Sequence, residues 1–307
     1  MNSASHGFFR FLALSLCCIN SLYSQDVEPR RWSSLPLETK IIATGYGYTS
    51  GDVSFDPILE VEDAIVEVNS LLATYIESFK IGAKLARIDI RVPFGFVHYE
   101  GLLNGESATL DRTGFLDPRI RLSVNLLGPP ALNLKELQQY FQEHPVNTTF
   151  GVSLAITVPL GQYFEEKLIN LGQNRFIFRP QLGLVHNWKS WSYELTGSLY
   201  LFTNNNNFFG GDSRKQDPIF TLQTHLIKRF PSRIWGSASL ALGHGGESIV
   251  NQISKNDTRT DFIGALSFGF PFTKTQNVKV VYLYTASLAD YGADTDSVFL
   301  GWSLQIN

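Results

Sequence analysis

Apolar and polar residues alternate with a period of two along most of this chain. In the stretch FGVSLAITVPL, residues 150–160, large apolar side chains occupy every second position over most of its length, with small or weakly polar residues between them. Such alternation predicts a β-strand with one apolar face. The stretch is too short for a transmembrane helix, which needs ~20 apolar residues, but it matches the ~9–11 residues of a transmembrane strand.

Alternation of this kind recurs and predicts about 12 strands, an even number as in single-chain bacterial outer-membrane barrels. The predicted strands span residues 40–50, 64–79, 82–99, 115–127, 148–159, 174–188, 190–203, 217–229, 232–244, 259–271, 277–289 and 296–306. In the second strand, AIVEVNSLLATYIESF, the pattern shifts partway. This shift predicts a change of register at a bulge.

The predicted connections alternate between short and long. Short turns are predicted near residues 79–82, 187–190, 230–233 and 273–277. Long polar loops rich in Gly, Asn and Asp are predicted at residues 101–114, 161–174, 204–217, 243–258 and 289–297. Bacterial outer-membrane barrels show this asymmetry, with short periplasmic turns and long extracellular loops.

These features predict an all-β fold, a transmembrane antiparallel up-and-down β-barrel in the outer membrane of a Gram-negative bacterium. A soluble β-sandwich also alternates in this way. Its strands average about five or six residues, however, whereas many of these segments run to about ten. A closed barrel also satisfies every backbone group in lipid and leaves no open edge.

One connection on the predicted periplasmic side differs from the short turns. Residues 128–147 place Leu134, Leu137 and Phe141 at helical spacing between two prolines. This spacing predicts a short amphipathic helix in a periplasmic connection. Two interpretations are open, namely a helix that caps the barrel rim and a helix that acts as a plug or gate.

The start of the chain predicts export. Residues 1–24 contain one basic residue, no acidic residue and an apolar run from Phe8 to Ile19. This composition is typical of a secretory signal peptide, with cleavage near Ser24–Gln25. We therefore divide the chain into a signal peptide at 1–24, an N-terminal lead segment at 25–39 and an outer-membrane β-barrel at 40–307.

Composition argues against several other classes. Both cysteines lie in the predicted signal peptide, so the processed chain has no thiolate chemistry. The chain has 25 Lys and Arg against 28 Asp and Glu, and this mildly acidic balance argues against a nucleic-acid partner. Walker motifs and zinc-ligand spacings are absent from the sequence. We therefore predict no cofactor, no metal site and no catalytic residue. A calcium ion could contact Asp290, Asp294 and Asp296, but a solvated acidic loop is the simpler interpretation.

Charged side chains fall on the faces predicted to line the lumen. Because a buried charge is costly unless it is hydrated or paired, they predict either a water-filled electropositive conduit or an ionic network that fills a narrow barrel. Arginine offers forked donors to a carboxylate or phenolate. The candidate lumen and solute-contact residues are Arg87, Asp89, Arg91, Arg119, Arg121, Arg175, Arg179 and Glu194.

From about Phe115 to its end the chain resembles the phenol meta-pathway degradation-like outer-membrane proteins. The most specific stretches are PLGQY at 159–163 and NLGQNRFIFRPQLG at 170–183. The fixed points of that pattern are Asn170, Gly172, Asn174, Arg175, Pro180 and Gly183. The resemblance implies an outer-membrane barrel associated with uptake of small, often aromatic or apolar compounds, and it supplies no catalytic residues.

We therefore expect a channel or transporter for passive passage of small molecules. Its expected partners are outer-membrane lipid, a small-molecule solute and the barrel-insertion machinery. Two alternatives stay open. One is a barrel enzyme acting at its outer rim near His244, Glu247 and Ser248. The other is a structural or surface-binding barrel without transport.

Overall fold

The computed structural model describes residues 27–54, 61–103, 105–167, 169–289 and 292–306, so the predicted signal peptide lies outside the described residues. The one α-helix in the described part, α1, spans Leu134–Glu143. The strands are β1 Lys40–Ser54, β2 Val61–Ile81, β3 Lys84–Leu103, β4 Glu106–Phe115, β5 Arg119–Leu127, β6 Val146–Thr157, β7 Ile177–Trp188, β8 Trp191–Phe202, β9 Asn205–Phe208, β10 Asp212–Gln216, β11 Ile219–Arg229, β12 Trp235–Gly245, β13 Ser248–Val250, β14 Ile253–Ser254, β15 Arg259–Pro271, β16 Gln276–Ser287 and β17 Gly292–Ile306.

The long strands close into an antiparallel barrel of 12 strands, which confirms the predicted fold. Each strand pairs with its neighbours along the chain, and β1 pairs with β17 to close the barrel. Both β4 and β5 pair with β3, so together they form one wall position interrupted at residues 116–118. Closure pairs both edges of the other wall strands, whereas β4 pairs only with β3 among the described residues.

The outer surface of the wall is apolar, as the alternation predicts. In β6, Gly151, Ser153 and Ala155 are buried inside the barrel while Leu154 is exposed on its outer surface. Further apolar residues exposed on the outer surface include Ile42, Leu71, Val92, Ile120, Leu122, Leu182, Leu195, Leu222, Leu240, Leu266, Val280, Val298 and Leu300. A continuous apolar exterior on a closed barrel is suited to contact with lipid. Among the described residues, no helix is both long and apolar enough to cross a bilayer.

At the extracellular end, the structure corrects several loop predictions. Residues 101–114, predicted as a loop, form most of the β3–β4 hairpin. Both faces of β4 are largely exposed, so no apolar alternation marks it in the sequence. The predicted loops at 204–217 and 243–258 contribute β9, β10, β13 and β14, which form a separate four-stranded sheet.

The predicted change of register in the middle of β2 is wrong. Pairing with β1 is continuous from Glu77 to Ala64, and the irregularity with β3 lies near the strand end, between Glu62 and Ile65. What changes along β2 is which of its two faces is apolar: the outward face near the short turns and the inward face near the extracellular end.

Above the level of the apolar exterior, the barrel interior holds an apolar core, here called the upper core. It is formed by Val53, Ala64, Val66, Val68, Val97, Tyr99, Leu116 and Leu171.

The predicted helix in the 128–147 connection is present at the end of the barrel that carries the short turns. Asn133 caps α1, because its side chain accepts the N–H of Glu136 while the Glu136 carboxylate accepts the N–H of Asn133. Of the helix residues only Leu137 is buried. This exposure favours a helix at the rim over a helix that fills the lumen.

Candidate functional site: an occluded lumen

The lumen is occupied by the segment that precedes β1, residues 27–39, here called the plug. At the periplasmic end, the Leu37 N–H donates to the Leu132 carbonyl at 2.7 Å. Further in, the Trp32 indole contacts the inward face of β8. Glu28 reaches Arg119, which lies at the extracellular end of β5. The plug therefore enters from the periplasmic side, and Glu28 lies nearer the outside than Trp32 does.

Glu28 anchors the plug among three arginines of the wall, here called the arginine cluster. Its Oε1 lies 2.7 Å from Arg91 and 3.1 Å from Arg119, and its Oε2 lies 2.7 Å from Arg121. Arg31 of the plug adds a longer contact at 3.9 Å. Both carboxylate oxygens are thus paired, which compensates for the cost of burying the charge.

Two opposing effects set the pKa of the Glu28 carboxyl. Burial raises it, but the positive charges of Arg121, Arg91 and Arg179 lower it by more, so the pKa lies well below its ordinary value. Glu28 is consequently ionised at neutral and mildly acidic pH.

Arg31 forms a second polar anchor. Its backbone N–H donates to the Glu194 carboxylate at 3.1 Å, and its guanidinium lies 3.4 Å from Asp89. Asp89 is also 3.2 Å from Arg87 and 3.3 Å from Arg121. The two anchors therefore share Arg121 and form one ionic network between plug and wall.

Trp32 is held in a recess that two glycines create. Gly151 and Gly183 are directly paired on β6 and β7, and Thr196 on β8 pairs with Gly183. A Cβ atom at Gly183 would lie 1.8 Å from the Trp32 ring, and one at Gly151 would lie 2.6 Å from it. The indole Nε1–H donates to the Thr196 hydroxyl at 2.8 Å. We call Gly151, Gly183 and Thr196 the Trp32 niche.

A small cavity lies between the plug and the wall. Its volume is about 20 Å³, and it lies beside Arg31 and Trp32 with Ser123 and Asn125 on the wall side. That volume suits roughly one water molecule. Of the two sequence-based interpretations of the lumen, the ionic network that fills a narrow barrel describes this structure, with the plug supplying part of it.

The family pattern at 159–183 folds the extracellular loop between β6 and β7. Asp117, in the break between β4 and β5, accepts the N–H groups of Gly161 and Gln173, both at 2.8 Å. A Cβ at Gly161 or Gly172 would approach the other residue's backbone to 2.9 Å. The Asn170 side chain binds backbone groups of the same loop. The fixed points Gly172 and Asn170 thus hold the loop in shape, whereas Gly183 makes room for the plug.

The predicted lumen residues divide into three groups. Those that contact the plug directly or through Asp89 are Arg87, Asp89, Arg91, Arg119, Arg121 and Glu194. Arg179 points inward from β7 and its guanidinium lies 4.5 Å from the centre of the Tyr200 ring. The third group is Arg175, which the sequence predicts on a strand. It lies instead in the loop before β7, which continues past this residue, and its guanidinium donates to Gln173 and Gln216. Contact of any of them with a solute stays a prediction.

Sequence reasoning missed the plug residues themselves. Glu28, Arg31 and Trp32 belong to the lead segment, which has no alternation and was assigned no role. One signal was available, because the predicted inward face carried many more arginines than acids, and Asp89 and Glu194 alone could not balance them. An excess of inward cations predicts that an anion from another part of the chain pairs with them.

The residues considered for a rim enzyme have separate partners. His244 Nδ1 lies 2.9 Å from the Thr260 hydroxyl, the Glu247 carboxylate accepts the N–H of Asn256, and the Ser248 hydroxyl accepts from Arg214. The predicted acidic loop at 289–297 is wrong for most of its length, because Asp294 and Asp296 lie on β17 and pair with β1. Asp290 lies outside the described residues. Elsewhere in the described chain no group of three or more acidic, His or Cys side chains is placed to hold a metal.

The closed antiparallel wall, its apolar exterior and its charged interior define an outer-membrane β-barrel protein. The chain belongs to the family described as "Putative MetA-pathway of phenol degradation", whose model matches residues 49–289. This match confirms the resemblance found in the sequence.

Comparison with solved structures shows the same fold in one protein and a weaker similarity in another. An outer-membrane channel from Pseudomonas putida F1 is 18% identical, with 92% of this chain and 100% of that chain covered at a TM-score of 0.75. The transport unit of the autotransporter AIDA-I from Escherichia coli is 11% identical, with 99% and 98% covered at a TM-score of 0.48. No curated protein sequence matches this chain.

Proposed function

We propose that this protein is a gated outer-membrane channel for passive passage of small molecules, and that the plug is its gate. The observation that carries the proposal is the way the plug is held. Its anchors are ion pairs at Glu28 and Arg31 and one hydrogen-bonded indole at Trp32. Water or a solute can replace such polar contacts, whereas a core packed from apolar side chains has no comparable alternative.

The chemistry of the lumen and the family description both favour small aromatic or apolar compounds as solutes. Arginine–aromatic pairs, Arg179 with Tyr200 and Arg175 with Phe202, lie towards the outer mouth, each at 4.5 Å. Aromatic rings and guanidinium planes both stack with aromatic solutes. Passage down a concentration gradient needs no reaction at the protein, and we propose no enzymatic activity.

Liposome swelling with a small sugar tests the gate. We expect the wild-type protein to show little permeability, and a Glu28→Gln/Trp32→Ala variant to show a marked increase because both anchors are lost. Glu38→Gln is the matched control, since Glu38 belongs to the same segment but is exposed. If the double variant stays impermeable although its plug is accessible to proteolysis, the barrel is not a channel.

A further inference from the structure

The arginine cluster has the geometry of a general carboxylate-binding site that Glu28 now fills. Arg91 and Arg119 meet one carboxylate oxygen and Arg121 meets the other. Forked guanidinium donors recognise the carboxylate group itself, and nothing in these contacts reads the rest of the glutamate side chain. A carboxylate on a free molecule would make the same hydrogen bonds.

Withdrawal of the plug would leave this site with excess positive charge. The wall residues around it are the cations Arg87, Arg91, Arg119, Arg121 and Arg179 and the acids Asp89 and Glu194. The plug brings Glu28 and Arg31 together, so its withdrawal removes the carboxylate that Arg91, Arg119 and Arg121 share without changing the excess of cations over acids. A buried charge that loses its partner is strongly destabilising, so an open lumen requires a replacement anion or water.

The surroundings of the cluster favour an aromatic ring on that anion. Arg121 on β5, Ala155 on β6 and Arg179 on β7 lie side by side at one level of the barrel wall. Ala155 contributes only a methyl group between these two arginines, and it is buried while the plug is in place. Tyr200, whose ring lies against Arg179, borders the same level of the lumen. An aryl carboxylate would present its charge to the arginines and its ring to Tyr200.

The direction of the plug gives such a solute access. Of the plug residues, Glu28 lies towards the outside and Leu37 lies at the periplasmic end. A solute that enters from the extracellular mouth therefore meets Glu28 before it meets the Trp32 niche.

We propose that Glu28 is an internal mimic of a small aromatic carboxylate, and that such a solute opens the lumen by taking its place on Arg91, Arg119 and Arg121. This inference rests on the proposed channel function and adds its ligand class and its trigger. The exchange gives Arg91, Arg119 and Arg121 one carboxylate in place of another, and Asp89 keeps Arg87 and Arg121 when Arg31 leaves with the plug. A ligand that binds only the plug-free state shifts the population towards that state.

The test measures plug position and ligand binding, neither of which requires passage. A Ser33→Cys variant places a thiol in the plug, and mass spectrometry of the labelled peptide identifies reaction at that site. Labelling by a bulky, membrane-impermeant maleimide is followed against benzoate concentration, with benzamide as the neutral isostere and sodium chloride to keep ionic strength constant. We expect benzoate to accelerate labelling saturably and benzamide to have no effect.

Benzoate affinity of the full protein gives the second measurement. Glu28→Gln removes the competing carboxylate, so we expect benzoate to bind at least about tenfold more tightly than to wild type. Glu38→Gln should keep the wild-type affinity. Equal affinity for wild type and Glu28→Gln, or labelling that benzoate leaves unchanged, would overturn the proposal. If benzoate competes with Glu28 but the Glu28→Gln/Trp32→Ala variant causes no liposome swelling, the carboxylate site stands and the proposed channel function is overturned.

Discussion

The barrel interior is built in two different ways at its two ends. Towards the outside, the upper core packs apolar side chains such as Val66 and Val97 against Leu116 along the β1–β3 side of the lumen. Towards the periplasm, the plug is held by the ionic network of Glu28 and Asp89. One chain thus uses apolar packing and ion pairing in adjacent parts of the same cylinder.

The difference teaches which part of the interior is built to exchange its contacts. Burying a Val or Leu side chain contributes about 1.5–3 kcal/mol, and nothing from solvent can substitute for it. A buried ion pair gains little net free energy, because desolvation offsets most of the attraction. The upper core is therefore a fixed element, whereas the plug can leave when another anion or water satisfies the arginines.

Removing apolar volume from the upper core should give the largest effect and should leave the gate closed. Leu116→Ala should lower the free energy of unfolding by about 2–5 kcal/mol, because it creates a buried cavity. Urea unfolding in detergent measures this loss, and swelling assays should show no added permeability. Leu160→Ala is the control, since Leu160 is 71% exposed. Added permeability in Leu116→Ala would contradict the division between the two ends.

Filling the Trp32 niche should open the gate without weakening the barrel. Gly183→Val places side-chain atoms where the Trp32 ring now lies. This should destabilise the state with the plug in place by about 1–3 kcal/mol relative to the plug-free state. The expected result is faster thiol labelling of Ser33→Cys with unchanged barrel unfolding. Gly197→Val is the matched control on the neighbouring strand, because a Cβ at Gly197 meets nothing within 4 Å. Equal labelling of the two variants would rule out the niche as a lock.

Removing the hydrogen-bond acceptor of Trp32 should have a smaller effect in the same direction. Thr196→Val keeps the side-chain shape but leaves the indole N–H unpaired, at a cost of about 1 kcal/mol. We expect a severalfold increase in the labelling rate of the plug. Thr196→Ser retains the hydroxyl and should behave as wild type, so a similar increase in both variants would point to packing in place of the hydrogen bond.

Mild acid should have almost no effect on the gate. The pKa of Glu28 is lower in the folded protein than in an unfolded chain, so its stabilising contribution is present above the unfolded pKa and is lost only as pH falls through the folded one. The plug should therefore stay seated from pH 7 to about pH 4, near the pKa of an ordinary Glu. Labelling at a series of pH values checks this, and opening with a midpoint near pH 5 would show that the arginine cluster does not hold the Glu28 charge.

The wall of the barrel was predictable from the sequence because it depends on local alternation. Each transmembrane strand must turn apolar residues to lipid, so the pattern that predicted the strand at 148–159 reports a physical requirement at every second position. The same reasoning failed where that requirement ends. Strand β4 is largely exposed on both faces, and the outer part of β2 places Glu67 and Asn69 on its outward face, so neither segment has a continuous apolar exterior.

By itself the sequence determined the lipid-facing strands, the closed up-and-down barrel, the faces that charged residues such as Arg119 and Arg121 occupy, and the helix near Leu137. Only the tertiary structure decided what those charges meet. Glu28 and Arg121 are far apart in the chain and their pairing leaves no periodic trace, because an ion pair depends on where a segment folds and not on its local pattern. Gly151 and Gly183 likewise acquire a role only when Trp32 lies against them.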